Sequence, residues 1–319
     1  MLKLFKNQQP VTLILLVIIL LMTRLPFVFV QNFKSDNNYL NIELNPLSLS
    51  ILLIMLVVFI QAVWLNYIFS NSHFLSEKTV IPALVWILVT GLNPNFMVIG
   101  FPIISATLII IMMQIIFNYQ SNIIQIQQCF QLGVLLGLLI LMQPVLIFAI
   151  PFFIVLIYNM NTQGVREYLI FLLSIALTFF WAWSFVYLTD QSLHWISRFK
   201  YNFGLPYFPM NWVEGVKWIV ISLYILGGFF SLFTLMSSAS AKRKKNVRSL
   251  ILLILSLGVS CLLTTHWDFS NIIIFIVPSS FLISIVLLII HKIKYAELVF
   301  GIFALTTLSS IIYLLIQSY

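Results

Sequence analysis

The chain has 319 residues, 62% of them hydrophobic and only 8% charged, with a mean hydropathy of +1.10. It carries 16 basic and 8 acidic residues, a formal net charge of +8, and nearly all of them fall in short gaps between apolar runs. No polar stretch is long enough for a soluble domain, and the basic excess reads as anchoring of helix ends rather than as a nucleic-acid surface.

Eleven apolar segments follow one another, at about 10–30, 48–70, 79–93, 99–118, 128–142, 145–159, 168–188, 214–236, 249–265, 270–290 and 296–317. With lipid as the solvent, each must satisfy its own backbone hydrogen bonds, so they predict an all-α polytopic transmembrane bundle of about eleven spans in one integral membrane domain, 1–319. The first run follows Lys3 and Lys6 and ends in Thr23-Arg24-Leu25-Pro26, which is not a small-x-small cleavage site. It reads as an uncleaved signal anchor with a cytoplasmic N-terminus. Arg24 is the deepest basic residue of any run, placed where it is expected to snorkel to the outer interface.

The third, fifth and sixth segments are short. Fifteen helical residues cover about 22 Å of a hydrocarbon core roughly 30 Å thick. Asn93-Pro94-Asn95 and Gln143-Pro144 turn them into hairpins over 79–118 and 128–159, expected to be partial or re-entrant spans buried by protein or lining a wet cavity. Cys129 and Cys261 lie inside apolar runs, where cysteine behaves as a small hydrophobe.

With the N-terminus inside, eleven basic residues fall on the cytoplasmic side and five on the other. That positive-inside bias is carried mostly by Lys242, Arg243, Lys244 and Lys245, and 237–248 is expected as a flexible cytoplasmic loop. Three outward segments remain, at 31–45, 189–213 and 265–271. In the second, Asp190, His194 and Arg198 recur every four residues and so share a helical face, with aromatic residues falling towards another. The pattern predicts an amphipathic helix over 189–204 lying in the interface. As a site, Arg198 and Lys200 would hold a phosphate while Asp190 or His194 moves a proton; as structure, it is an aromatic anchor. His266 and Asp268 form a second candidate in an outward turn, and Asp36 with Glu43 a third on the first outward segment. Arg24 joins Arg198, Lys200 and His266 as a candidate substrate-binding group, with Asp36, Asp190, His194 and Asp268 as candidate catalytic ones.

Phosphate-cradling glycine loops, HExxH, cysteine clusters and the G-x-S-x-G elbow are absent, and the four histidines at 73, 194, 266 and 291 are scattered. Neither a metal nor a cofactor is therefore expected. Gln114, Gln131 and Gln143 are amides within the runs, available as polar contacts to a carrier and more simply expected to satisfy one another between helices.

Trp64-Leu-Asn-Tyr-Ile-Phe-Ser-Asn-Ser-His73, the stretch from Pro94-Asn-Phe to Phe117-Asn118, Arg166-Glu-Tyr-Leu, Val277-Pro278 and Ala296-Glu297-Leu together resemble an uncharacterised family of polytopic inner-membrane proteins from Bacteroidota. The resemblance implies a Gram-negative envelope, with the outward face in the periplasm, and assigns no residue a role. A looser architectural likeness is to C-type glycosyltransferases, which use polyprenyl-linked sugars. It would put Asp36 in the place of the catalytic acid, although the loop here is only about fifteen residues and lacks a paired acidic motif. The expected function is the handling of a lipid-linked glycan or lipid at the periplasmic face, with membrane lipids and other envelope proteins as partners and no nucleic acid. A non-catalytic subunit of an envelope assembly or secretion complex, and a transporter or channel, are the alternatives.

Overall fold

The computed structural model describes residues 5, 10–28, 47–72, 74, 79–92, 100–117, 125–160, 164–189, 212–237, 240–263, 269–290 and 292–318. Among the described residues all regular structure is helical. Eleven α-helices follow in order: α1 (Pro10–Val28), α2 (Leu47–Asn71), α3 (Ile81–Gly91), α4 (Phe101–Phe117), α5 (Ile126–Met142), α6 (Ile150–Asn159), α7 (Val165–Leu188), α8 (Trp212–Ser237), α9 (Ala241–Leu262), α10 (Phe269–Ile289) and α11 (Ile293–Ser318). A 3₁₀ turn, Pro144–Ala149, leads into α6. Each helix falls on one of the eleven apolar segments, but length divides them. Among the described residues six, namely α2 and α7 to α11, contain stretches long and apolar enough to cross a membrane; α3, α4, α5 and the 144–159 unit are shorter, and α1 contributes the apolar stretch Val11–Leu25. The described residues thus form an all-helical bundle with six membrane-length helices, the character of a multi-pass membrane protein.

Proline sets the short elements. Gln143 is extended, at φ −137° and ψ 90°, as the residue before a proline tends to be, and this ends α5. Pro82 and Pro151 stand in the first turns of α3 and α6, where the missing N–H has no helical partner to lose. At 11 residues α3 covers only about 16 Å, half of a bilayer core. All eleven of those residues are buried, so α3 faces protein on every side. Around it pack α1, α2, α10 and α11. Helix α10 is the other core element, with 78% of its apolar window buried against only 17% for α7 at the rim.

Helix α7 is held mainly by α5, through small residues. A Cβ built on Gly133 would meet Ser174 Oγ at 1.7 Å and the Phe171 carbonyl at 2.5 Å, and one on Gly137 would meet Thr178 Cβ at 2.9 Å. The pair Gly133-x-x-x-Gly137 thus receives Ser174-x-x-x-Thr178, the close backbone approach that dispersion requires where no hydrophobic drive operates between helices. Gly228 of α8 admits Leu282 of α10 in the same way, at 2.6 Å from a built Cβ. Phe69, Phe74, Phe117 and Phe281 form a cluster joining α2, α4 and α10, with ring centroids 5.1–6.2 Å apart.

The bundle has two distinct ends. At one, the start of α9 packs on the chain leaving α2: Arg243 donates to the Phe74 carbonyl, and Asn246 Nδ2 to that of Ser72 at 2.8 Å. Asn159 Nδ2 donates to Ser249 Oγ at 3.0 Å. This basic end corrects the loop expected over 237–248. Residues 241–248 are the first two turns of α9, because Ala, Lys and Arg are strong helix formers and their polar neighbours find backbone carbonyls to hold. The interfacial helix expected over 189–204 lies outside the described residues, apart from Thr189.

Candidate functional site

The opposite end is built around the C-terminus of α3. A helix leaves its last four carbonyls without intrahelical donors, and its negative dipole end favours a cation. Both needs are met here from neighbouring helices. Arg24, near the end of α1, is 0% exposed and donates from Nη2 to the Thr90 carbonyl at 3.4 Å. Ser310 Oγ of α11 donates to the Leu92 carbonyl at 3.2 Å. The three elements come this close because α3 ends in Gly91, where a Cβ would lie 3.3 Å from Thr23 Cβ and 3.8 Å from Ile311 Cδ1.

Arg24 therefore does not snorkel as expected from its position near the end of an apolar run. It turns inward because α3 stops inside the bundle and presents carbonyls at that depth, an alternative to crossing hydrocarbon that single-helix reasoning does not contain. A second basic side chain behaves alike. Lys217, in α8, is only 7% exposed, with its ammonium 5.9 Å from the Trp218 ring centroid. Helix α11 packs against both α1 and α8, so it stands between the two buried cations.

Contacts across the bundle show which helix termini share this end. Arg24 with Thr90 and Ser310 with Leu92 make α1, α3 and α11 parallel. Gly133 with Ser174 and Gly137 with Thr178 make α5 and α7 parallel. The docking of Arg243 and Asn246 beside the end of α2 runs α9 opposite to α2. The chain thus leaves α1, α7 and α9, and re-enters at α2, α8 and α10, at the Arg24 end. Of the candidate site residues only Arg24 is described; Asp36, Asp190, His194, Arg198, Lys200, His266 and Asp268 lie outside the described residues. What the structure shows is that the helix ends flanking them in the chain lie at one end of the bundle.

The amides pair differently from expectation. Gln114 Oε1 accepts from Trp64 Nε1 at 2.7 Å, so an indole rather than another amide satisfies it. Gln61, buried in α2 and not singled out from sequence, donates to the Ile103 carbonyl at 3.1 Å and to Thr107 Oγ1 at 2.8 Å. These bonds form a polar seam between α2 and α4. A signal for it was present in the sequence, since Gln61 and Trp64 lie one turn apart on an otherwise apolar helix. Cys129 and Cys261 are both buried and unbridged. Among the described residues no group of three His, Cys, Asp or Glu side chains converges for a metal.

No family model, no curated protein and no solved structure matches the chain.

Proposed function

We propose that this is a multi-pass protein of the bacterial inner membrane, N-terminus in the cytoplasm, that handles a lipid-linked glycan or lipid at its periplasmic end. In this reading the basic end faces the cytoplasm, as the positive-inside count requires, and the shorter helices complete the passage of the chain through the bilayer. The observation that carries the reading is the pair of buried cations, Arg24 and Lys217, at the end away from the basic cluster. Positive charge retained inside the protein on the translocated side suits a phosphate-bearing lipid, and it is opposite to what topology alone demands. At the basic end Arg243, Asn246 and Asn159 are engaged in bonds that fasten helices together.

Arg198 and Lys200 would hold the phosphate and Asp36 or His194 would take or give the proton, with Asp190, His266 and Asp268 completing the outward rim. The bilayer itself delivers such a substrate, since its tail stays in lipid while its head reaches the rim. Asp36→Asn and His194→Ala, each produced at native levels in the membrane, are expected to abolish processing of the envelope glycan. Native glycan profiles in both variants would overturn the proposal.

A second reading, a carrier, is favoured by α3, a short helix enclosed by protein whose end is capped within the bundle, since broken helices build transport sites in many carriers. Substrate flux into proteoliposomes above that of empty vesicles would support it; equal flux across sugars, amino acids and inorganic ions would remove it.

A further inference from the structure

A groove of about 510 Å³ runs between α4 and α5 near the basic end of the bundle. Ile111, Phe130 and Leu135 contribute its apolar walls, and three amides, Gln114, Gln128 and Gln131, its polar lining. Among the described residues no charged side chain lines it.

The orientation of two of these amides is dictated by their partners. Trp64 Nε1 donates to Gln114 at 2.7 Å, and an indole N–H can only donate, so the atom it meets is the amide oxygen. The Gln125 backbone N–H donates to Gln128 Oε1 at 3.1 Å, which fixes that oxygen in the same way. Both carbonyl oxygens are thereby occupied from within the protein. What Gln114 and Gln128 have left to offer is their NH₂ groups, and among the described residues no hydrogen bond engages either one. Gln131 is exposed and adds a third amide. The groove therefore presents donors in an apolar setting and selects for a mostly apolar molecule that carries acceptors.

Depth narrows the choice. Gln114 lies three residues before the end of α4, and Gln128 and Gln131 two and five residues into α5. At 1.5 Å per residue all three are within about 8 Å of their helix ends, the level at which hydrocarbon gives way to the interfacial region and where the ester carbonyls of glycerolipids lie. We propose that the groove binds a glycerophospholipid of the adjoining leaflet. Its ester carbonyls accept from the amides of Gln114, Gln128 and Gln131, and its acyl chains lie along Ile111, Phe130 and Leu135. The site is at the other end of the bundle from the proposed substrate end and does not depend on that reading.

The chemistry is tested by removing the carbonyls from the lipid. The full-length protein, delipidated in detergent, is offered an equimolar mixture of diacyl phosphatidylethanolamine and its dialkyl ether counterpart of equal chain length, and the lipid retained is read by native mass spectrometry. Two amide-to-carbonyl hydrogen bonds predict a preference for the diester on the order of tenfold. Gln131→Leu is expected to reduce that preference to about threefold, and Gln114→Leu with Gln131→Leu to reduce it further, leaving only the Gln128 amide. Equal retention of the two lipids by the native protein would overturn the proposal, and so would a native preference in the double variant. If the double variant loses its fold along with the Trp64 bond, the decision passes to Gln131→Leu, because Gln131 is exposed and among the described residues fastens no other helix. A native preference in that variant counts against the site.

Discussion

The contact between α5 and α7 lends itself to a quantitative test. In Gly133→Ala, the added methyl would stand 2.5 Å from the Phe171 carbonyl and 1.7 Å from Ser174 Oγ. Rotation of Ser174 can relieve the second clash but not the first, which involves backbone. Bringing the carbonyl contact from 2.5 Å to an ordinary 3.4 Å separates the two helices by about 0.9 Å over the region where they pack. Overpacking of this kind costs about 1–3 kcal/mol. A matched control exists in the same molecule. A Cβ on Gly301, in α11, meets nothing within 4 Å, so Gly301→Ala should be neutral or stabilising by up to about 1 kcal/mol from helix propensity. The assay is unfolding of both variants in lipid nanodiscs, followed by the accessibility of a single reporter cysteine placed on α7. Gly133→Ala is expected to unfold first, with α7 released before the rest, because α7 is only 17% buried and has α5 as its main partner. Equal stability of the two alanine variants would refute the small-residue argument.

Three further outcomes follow from the geometry. Arg24→Gln is expected to lower stability by about 1–3 kcal/mol in thermal unfolding, because the Thr90 carbonyl stays buried with a shorter side chain that cannot reach it; an unchanged midpoint would mean that Arg24 does not cap α3. A double-mutant cycle between Trp64→Phe and Gln114→Leu should return a coupling of about 0.6–1.7 kcal/mol, the range of interhelical side-chain hydrogen bonds in a bilayer, and zero coupling would dissolve the α2–α4 seam. On the orientation proposed above, in a variant lacking Cys129 and Cys261, a membrane-impermeant maleimide should label Lys242→Cys only after the membrane is opened and Asp36→Cys in intact spheroplasts; the reverse pattern would overturn that proposal.

The helices were legible because hydropathy is a local property: each apolar run is its own signal, and each of the eleven runs holds a helix, although α9 begins eight residues before its run and α6 five residues into its own. Partners were not legible, because they lie far away in the chain. Arg24 read as a snorkelling residue since nothing in α1 reveals that α3 ends beside it, 66 residues later. Gly133-x-x-x-Gly137 is visible in the sequence, but its significance depends on Ser174 and Thr178 facing it from another helix. The basic run read as a loop because charge density dominates a short window, whereas its residues are good helix formers and Arg243 and Asn246 find acceptors on the chain after α2. Expecting the amides to pair with one another overlooked the indole of Trp64, which reaches Gln114 from α2.

The enclosure of α3 also sets an order of events during synthesis. Its C-terminal carbonyls are capped by Ser310, 218 residues further along, and the chain just before it is fastened by Arg243 and Asn246, 169 and 174 residues after the carbonyls they engage. When α3 leaves the ribosome, α10 and α11 do not yet exist, and a helix of half a bilayer's thickness has only α1 and α2 beside it. The first third of the protein must therefore wait in the membrane unfinished, and its last two helices act as the clasp that completes a structure begun at the other end of the chain.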